Sequence, residues 1–265
     1  MPVPDDKLRL GGMALRNGLL VHGPTHWAAA VRTKDGQIKV GSGPKPRFKA
    51  VDDVPGLRGL ARLGEAFAVL PLVKRGLPEA KMAFENPSVL GVAAGTSVAG
   101  ALLRRRAPGV TGEMASSLIA LAPALFALRG GELAAYHGVE HKAIAAYEQD
   151  GEDARDALKE HDRCGSHLMA PMLAANLAGT LLLKRAVDKP SPIAGGAVAL
   201  ASTAAAVEVF AWTERHADSP VTRVLKRPGF ELQRVLGTRE PDERQLEVGR
   251  AALAEILRVE DTPSG

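Results

Sequence analysis

Four of the seven histidines and the single cysteine of this chain fall between residues 136 and 167. His137 and His141 are four positions apart, so in a helix both imidazoles would lie on one face, with Glu140 beside them. The order H-x-x-E-H is the inverted form of the zincin motif, in which two histidines bind Zn²⁺ and the glutamate is the general base. The spacing therefore predicts a metal centre with Glu140 as its catalytic base.

A second group of nitrogen and sulfur donors follows in the pattern H-x-x-C-x-x-H, formed by His161, Cys164 and His167. Donors of this kind suit zinc, and His161 with Cys164 (or His167) could complete a tetrahedron around it. We therefore predict a site for Zn²⁺ or another divalent metal. Its predicted ligands are His137, His141, His161 and Cys164. The alternative interpretation is a set of surface histidines on a polar loop between two helices.

The predicted metal ligands lie in a segment that is flanked by apolar blocks with charged ends, and these blocks must position it. Hydrophobic residues make up 46% of the 265-residue chain although 24% of its residues are charged, a composition typical of membrane-embedded chains with polar ends. The block 193–212 is long enough to span a bilayer, whereas 88–103, 115–128 and 168–183 run about 14 to 16 residues against the ~20 expected. Their basic ends could extend them by snorkelling. The rival interpretation is a soluble all-α bundle with Ala-rich buried helices.

If all four blocks cross the membrane, both ends of the chain and the metal-candidate segment 129–167 (the metal window) lie on the same side. The metal window would then lie at the lipid interface. The polar N-terminus, which has no apolar segment of a cleavable signal, favours the cytoplasm for that side. The positive-inside rule favours the opposite, because both loops on the far side are basic. We predict a multi-pass protein of the cell membrane with the metal window on the cytoplasmic side.

Turn residues and apolar periodicity predict the remaining segments. Up to about residue 45 the chain has short apolar runs typical of strands, and Asp35-Gly36 between two of them indicates a type I′ hairpin. From Leu57, apolar residues recur at helical spacing, in an amphipathic helix that lies on the membrane surface or packs like any other. Residues 243–257 also form a predicted packing helix.

The predicted fold class is mainly α: a multi-pass membrane helical bundle of about four apolar helices with a small N-terminal β region. The predicted regions are 1–50, β-rich; 51–85, the amphipathic interfacial helix; 86–214, the four-helix membrane core with the metal-candidate segment 129–167; and 215–265, a polar helical tail.

Net charge, aromatic content and cysteine content restrict the classes of partner that we expect for this chain. A net charge of +4 and a pI near 9.3 suit an anionic lipid surface or a nucleic acid. Nucleic acid is not expected, because aromatic residues are only 4% of the chain and no RNA- or DNA-binding motif is present. One cysteine excludes an intrachain disulfide framework. Membrane lipids and a divalent metal are the predicted partners, and no protein partner is indicated.

Several separated motifs of this chain occur together in one known family. They are Gly11-Gly12-x-Ala14 with Gly18 and Gly23-Pro24; Pro55-x-x-Arg58-Gly59; Tyr136-His137-Gly138-x-Glu140-His141-Lys142 with Tyr147-Glu148; His161-x-Arg163-Cys164-Gly165; and, near the end, Leu232-Gln233, Thr238-Arg239-Glu240-Pro241-Asp242 and Glu247-Val248. With these motifs the sequence resembles the YqhQ-like family, bacterial membrane proteins of unknown function described as predicted metal-dependent enzymes. The resemblance implies a multi-pass membrane protein and no particular reaction. It also implies a metal cluster at His137, Glu140, His141, His161 and Cys164.

The chain departs from the family pattern at a few positions. Met13, Asn17 and His22 stand where the family usually has Gln, Glu and often Arg, so an acidic group is lost from the first motif. Ser166-His167 replaces a common Thr-Ser pair, which makes His167 a weaker ligand candidate than His161 or Cys164. In the last apolar block, Val207-Glu208 replaces Tyr-Glu, so that the carboxylate remains and the phenol is gone.

The function predicted from these residues is a membrane-embedded zinc-dependent hydrolase. Glu140 would accept a proton from the attacking water, and Lys142 or Arg163 would neutralise the developing oxyanion. The sequence also allows a non-enzymatic scaffold or assembly factor, in which four ligands close a structural metal site. A metal or ion transporter that uses Glu208 is a weaker candidate, and nucleophilic catalysis by Cys164 is the weakest.

Overall fold

The protein is mainly helical, with a small antiparallel sheet at its N-terminus, as predicted. The computed structural model describes residues 7–48, 54, 57–107, 109–129, 131–149 and 154–261. Pro55 of the second family motif and the side chain of Arg58 lie outside the described part of the chain.

The four strands follow one another in the sheet in chain order, each antiparallel to the next. They are β1 (Gly11–Leu15), β2 (Gly18–His22), β3 (His26–Arg32) and β4 (Ile38–Pro44). The β3–β4 connection is a hairpin, but its turn is not the predicted two-residue type I′. Gly36 N–H donates to Thr33 O, Thr33 N–H donates to Gln37 O, and Gly36 has φ 87°. This is a three-residue turn closed by a left-handed glycine, which the same Asp-Gly pair also suits.

Helices cover both faces of the sheet. Successive side chains of a strand point to opposite faces, so Leu20 and Trp27 face one layer while Leu19 and Val21 face the other. Helix α1 (Arg58–Gly76) covers the first face with Val69, Leu70 and Val73. Helices α5 (Glu132–Glu148) and α9 (Glu243–Asp261) cover the second with Val139, Ile144, Val248 and Ile256. Both predicted amphipathic helices therefore pack on the sheet, although Phe67 of α1 remains 54% exposed.

Within the described ranges, four segments are long and apolar enough to cross a membrane: Pro87–Arg106, Val110–Arg129, Gly165–Ala186 and Pro192–Arg215. Their lengths of 20, 20, 22 and 24 residues reach what a bilayer requires, because charged flanks extend the shorter apolar blocks. Between 6% and 17% of the residues in their apolar windows are buried. The apolar side chains are thus largely uncovered by protein, which is opposite to the buried Ala-rich helices of a soluble bundle.

The second of these segments is broken near its middle. Helix α3 (Val110–Ile119) ends before α4 (Ala122–Arg129) begins, where the sequence had predicted one block. Pro123 explains the break, because proline has no N–H to donate and its ring clashes with the carbonyl of Ile119, four residues earlier. The other segments contain α2 (Pro87–Arg106), α6 (Met169–Ala186) and α7 (Pro192–Arg215).

The sheet, α5 and α9 lie at one end of the four apolar segments. Arg9, just before β1, is 3.7 Å from Glu214 at the end of α7, and Gly59 of α1 contacts Val207 of α7. Helix α8 (Pro220–Leu232) and a π-helical turn (Gln233–Gly237) return the chain from α7 to this end. The segment between α5 and α6 therefore sits where the sheet meets the apolar helices.

Candidate metal centre

Helix α5 carries His137, Glu140 and His141, and it is buried over most of its length. Its Ala-rich sequence packs closely: a Cβ on Gly138 would overlap the carbonyl oxygen of Arg239, and one on Gly249 of α9 would overlap Cγ1 of Val139. Polar groups on so buried a helix need defined partners, because burying them unpaired is unfavourable.

Both imidazoles are fixed through Nδ1 by backbone carbonyls. Nδ1 of His137 lies 2.7 Å from the oxygen of Gly237, and Nδ1 of His141 lies 2.6 Å from the oxygen of Lys159. A carbonyl only accepts, so each Nδ1 carries the proton and each Nε2 keeps its lone pair. Nε2 of His141 is buried and has no hydrogen-bond partner among the described residues. This is the arrangement that orients histidines as metal ligands.

Cys164 approaches the same point from the segment after α5. Its Sγ lies 3.4 Å from Nε2 of His137, and one ligand atom each of His137, His141 and Cys164 lies within 4.8 Å of the other two. Ligands held tetrahedrally at zinc–nitrogen and zinc–sulfur distances are roughly 3.3–3.6 Å apart. The backbone N–H of Ser166, 3.5 Å from Sγ, would stabilise negative charge on the sulfur. The three residues are therefore a group that could hold a metal ion.

His161 lies next to this cluster but not within it. Its ring centroid is 5.6 Å from that of His141. Its Nδ1 accepts a hydrogen bond from the backbone N–H of Arg163 at 3.2 Å, and its Nε2 is 3.7 Å from a carboxylate oxygen of Glu148. The geometry thus brings together three of the four predicted ligands, and metal binding by His161 stays a prediction.

His167 faces away from the cluster. Its Nδ1 lies 3.0 Å from the carbonyl oxygen of Lys226 in α8, and its Nε2 is 3.3 Å from the oxygen of His161. A Cβ on Gly229 would lie 2.5 Å from Nδ1, so the glycine lets α8 come this close. His167 thus links α8 to the segment that carries Cys164.

Glu140 is buried against the first strand. A Cβ on Gly12 would lie 2.7 Å from its Cγ and 2.8 Å from Oε1, so the side chain rests on the bare backbone of β1. Glu140 lines the same cavity as His137 and His141. Gly12 of the first family motif thus makes room for the predicted base.

The cavity in front of these residues has a volume of about 710 Å³ and a lining that is partly polar and partly apolar. Its polar lining includes His137, Glu140, His141, His161, Arg163 and Cys164. Its apolar lining includes Leu121, just before α4, and Leu125 and Leu128 of α4, together with Leu168, Met169 and Phe210. Part of the apolar lining therefore comes from three of the segments that could cross a membrane. The rest comes from β1, α1, α5 and the stretch before α2, as Met13, Leu63, Ile144 and Phe84 show.

Arg163 contributes a cation to the polar lining of the cavity. Its Nη2 forms an ion pair with Glu148, yet its buried Nε and Nη1 have no hydrogen-bond partner among the described residues. The side chain is only 9% exposed. Burial lowers the pKa of Arg163, and Glu148 opposes this shift, so that the guanidinium stays charged at neutral pH.

Lys142, the other predicted oxyanion partner, is used elsewhere. Its Nζ donates to the carbonyl oxygens of Arg155 and Ala157, at 3.0 and 2.6 Å, and is 2.6 Å from Glu240. The side chain is 4% exposed. It therefore clamps the segment after α5 to the stretch before α9, which leaves Arg163 as the candidate for the predicted oxyanion role.

Sequence reasoning missed the groups that support the ligands. Gln233 is fully buried; its Oε1 accepts from His161 N–H at 2.8 Å and its Nε2 donates to Ser166 Oγ at 2.8 Å. Gly237 follows in the same π-helical turn and supplies the carbonyl for His137. In the sequence, Leu232-Gln233 was one of the motifs of the family resemblance, but the motif did not indicate what Gln233 does.

Two comparisons with known proteins agree with the motifs. Residues 132–259 match the family described as "Protein of unknown function (DUF1385)". The chain is also 27% identical to the uncharacterized protein YqhQ of Bacillus subtilis (strain 168), over 94% of this chain and 92% of YqhQ. No solved structure matches the chain. These matches confirm the predicted resemblance to the YqhQ-like proteins, a family of unknown function.

Proposed function

We propose that the chain is a membrane-embedded, metal-dependent hydrolase with His137, His141 and Cys164 as ligands of Zn²⁺ or a similar metal. The observation that carries this proposal is the convergence of these three donors in one cavity, with both imidazoles fixed through Nδ1. Three protein ligands are typical of catalytic zinc sites, whereas structural sites are closed by four.

The metal would supply a Lewis acid that activates water and polarises a carbonyl or phosphoryl group. Glu140, on the cavity wall next to His141, would accept a proton at its carboxylate as water attacks. Arg163 would donate hydrogen bonds from Nε and Nη1 to the negative charge that develops. The apolar walls would keep other water out and strengthen these interactions.

We further propose that the four apolar segments cross the cell membrane and that the metal centre lies on its cytoplasmic side. The sheet, α5 and α9 would form the part outside the membrane, and the cavity would open at the interface. Labelling of Cys164, the single cysteine, in intact cells and in inverted vesicles after metal removal tests the orientation. Reaction in intact cells with a reagent that cannot cross the membrane would contradict a cytoplasmic site.

The decisive experiment combines metal content with turnover. Protein purified in detergent should contain about one zinc per chain, as expected of a single site with this ligand set. It should hydrolyse members of a panel of fluorogenic acyl esters, anilides and phosphodiesters. A Glu140→Gln variant should retain the metal and lose at least about a hundredfold in kcat, since general bases contribute roughly 10²–10⁴-fold. Unchanged turnover in Glu140→Gln would remove this mechanism.

The position of His161 favours a second candidate function, a structural metal site. Its ring lies near enough to His141 that a local shift would bring a fourth nitrogen to the cluster. A non-enzymatic scaffold would then use the metal to fasten the segment after α5. X-ray absorption that shows four protein ligands and no oxygen ligand would favour the scaffold over the hydrolase. Ion transport lacks such support, because Glu208 is not among the described residues that line the cavity.

A further inference from the structure

Arg163 carries hydrogen-bond donors that the fold leaves unused. A buried guanidinium whose Nε and Nη1 have no partner among the described residues is unfavourable, since each unsatisfied donor loses its hydration. Glu148 occupies Nη2 and balances the charge, but it leaves the other two nitrogens able to donate to a ligand. Phosphate and carboxylate oxygens are the partners that suit a guanidinium best.

Arg163 lines the cavity that also holds the proposed reaction centre. Arg163 directly precedes Cys164, and both line the cavity together with His137 and Glu140. An oxyanion bound to Arg163 would therefore place its substituents in the same space as the metal ligands.

The rest of the cavity is suited to hydrocarbon. Leu121, Leu125 and Leu128 form one wall, and Phe84 lies at the edge with 53% of its surface exposed. Because these residues belong to or adjoin segments whose outer surfaces are apolar, a molecule could enter sideways from the lipid phase. A volume of about 710 Å³ lies within the roughly 300–1,000 Å³ of ligand pockets.

We infer that the cavity binds an anionic amphiphile of the membrane, with its phosphate or carboxylate group on Arg163 and its hydrocarbon chain between α4 and the starting turns of α6. A small polar substrate would leave the apolar walls unused, and a neutral lipid would leave the arginine unsatisfied. Such an amphiphile would be the substrate of the proposed hydrolase. The inference therefore rests on that proposed function, but binding is measurable without turnover.

The test measures binding to zinc-loaded protein in neutral phosphatidylcholine nanodiscs by native mass spectrometry. The probes are dodecyl phosphate, dodecanoate, dodecanol and inorganic phosphate. We expect at least one of the two anionic amphiphiles to bind at least about tenfold more tightly than dodecanol and inorganic phosphate, because charge-assisted hydrogen bonds and apolar burial both contribute. Whichever of dodecyl phosphate and dodecanoate binds more tightly shows whether the preferred head group is a phosphate or a carboxylate.

Two variants, each with a matched control, measure how much the anionic head group and the hydrocarbon chain contribute to binding. Arg163→Gln should weaken the anionic amphiphile at least about tenfold, whereas Arg185→Gln, the same change at the exposed far end of α6, should not. Since Arg163→Gln leaves Glu148 unpaired, the double variant Arg163→Gln/Glu148→Gln repeats the test with a neutral pair. Leu125→Trp should fill part of the apolar cavity and weaken binding of the amphiphile by excluding its hydrocarbon chain. Phe126→Trp, at the next and exposed position of α4, should leave binding unchanged.

Zinc content, measured in each variant, separates this inference from the proposed function. In one outcome, the protein binds zinc and hydrolyses a probe, yet binds dodecanol as tightly as dodecyl phosphate and dodecanoate. That result would overturn the inference of an anionic amphiphile and leave the proposed hydrolase function standing. Equal binding of inorganic phosphate and the amphiphiles would also overturn it. Conversely, selective binding without hydrolysis would support the amphiphile and count against the hydrolase.

Discussion

Gly12 of β1 lies so close to Glu140 of α5 that a single added methyl group would sit 2.7 Å from Cγ of the glutamate. A strand outside the apolar helices thus sets the position of the proposed general base. Neither residue is near the other in sequence, and both occur in motifs of the family resemblance.

This contact predicts the effect of Gly12→Ala. The methyl group should displace Glu140, lower the free energy of unfolding by about 1–3 kcal/mol as overpacking does, and reduce turnover while zinc content stays unchanged. Thermal unfolding, metal analysis and hydrolysis assays measure the three quantities. Gly95→Ala is the control, because a Cβ there meets nothing within 4 Å. Shortening the partner in Gly12→Ala/Glu140→Asp should restore stability; equal losses in the single and double variants would contradict a direct clash.

The ligand set can be separated by single alanine variants. His137→Ala, His141→Ala and Cys164→Ala should each abolish stoichiometric zinc, because they remove atoms of the converged cluster. His161→Ala should keep most of it, since its nitrogens face Arg163 and Glu148. Zinc is measured after dialysis against a chelator of known affinity. Loss of zinc in His161→Ala equal to that in Cys164→Ala would instead indicate a closed four-ligand site.

Gln233 should support metal binding without touching the metal. Gln233→Leu removes the hydrogen bonds to His161 and Ser166, so the free energy of unfolding should fall by about 1–3 kcal/mol for the groups left unsatisfied. Zinc affinity should fall by roughly 10–100-fold, as it does when groups that orient ligands are lost. Gln37→Leu, on the exposed hairpin, is the matched control. Unaltered zinc affinity in Gln233→Leu would show that the segment of Cys164 is held in another way.

His22 predicts a loss of stability in mild acid. Burial, together with the nearby Lys45, lowers the pKa of His22 from 6.5 to about 4. The unfolded chain therefore binds a proton between pH 6.5 and 4 while the folded chain does not, so the stabilisation is full above pH 6.5 and is lost as pH falls. Its upper limit is about 3 kcal/mol.

Thermal unfolding of His22→Gln across this pH range measures that contribution. Glutamine does not titrate, so the variant should show a flatter dependence on pH than the parent protein. His216→Gln, exposed at the end of α7, is the control. Parallel curves for His22→Gln and the parent would mean that His22 is protonated equally in both states.

The local parts of the fold and site followed from the sequence. The i, i+4 spacing of His137 and His141 needs only one helix to bring the imidazoles together, and the strands follow from short apolar runs with turn residues. The break between α3 and α4 was also written in the sequence, at Pro123. It was overlooked because the apolar block continues through it.

Other parts depend on contacts that no local pattern contains. The carbonyls of Gly237 and Lys159 orient the two histidines, and every residue has such a carbonyl, so its type gives no signal. The roles of Lys142 and Arg163 were equivalent in the sequence. Only the packing shows that Lys142 is held by two backbone oxygens and Glu240, whereas Arg163, with two nitrogens unpaired among the described residues, lines the cavity.

The bond between His137 and Gly237 also has a consequence for biogenesis. Ribosomes deliver this chain from its first residue onward, and segments begin to fold before later ones emerge. The imidazole of His137 is therefore present well before the carbonyl that orients it, which arrives 100 residues later. A nascent chain that stalls or is cleaved before that turn would leave the His137 ring without this partner, so the proposed metal site could be complete only after residue 237 has emerged.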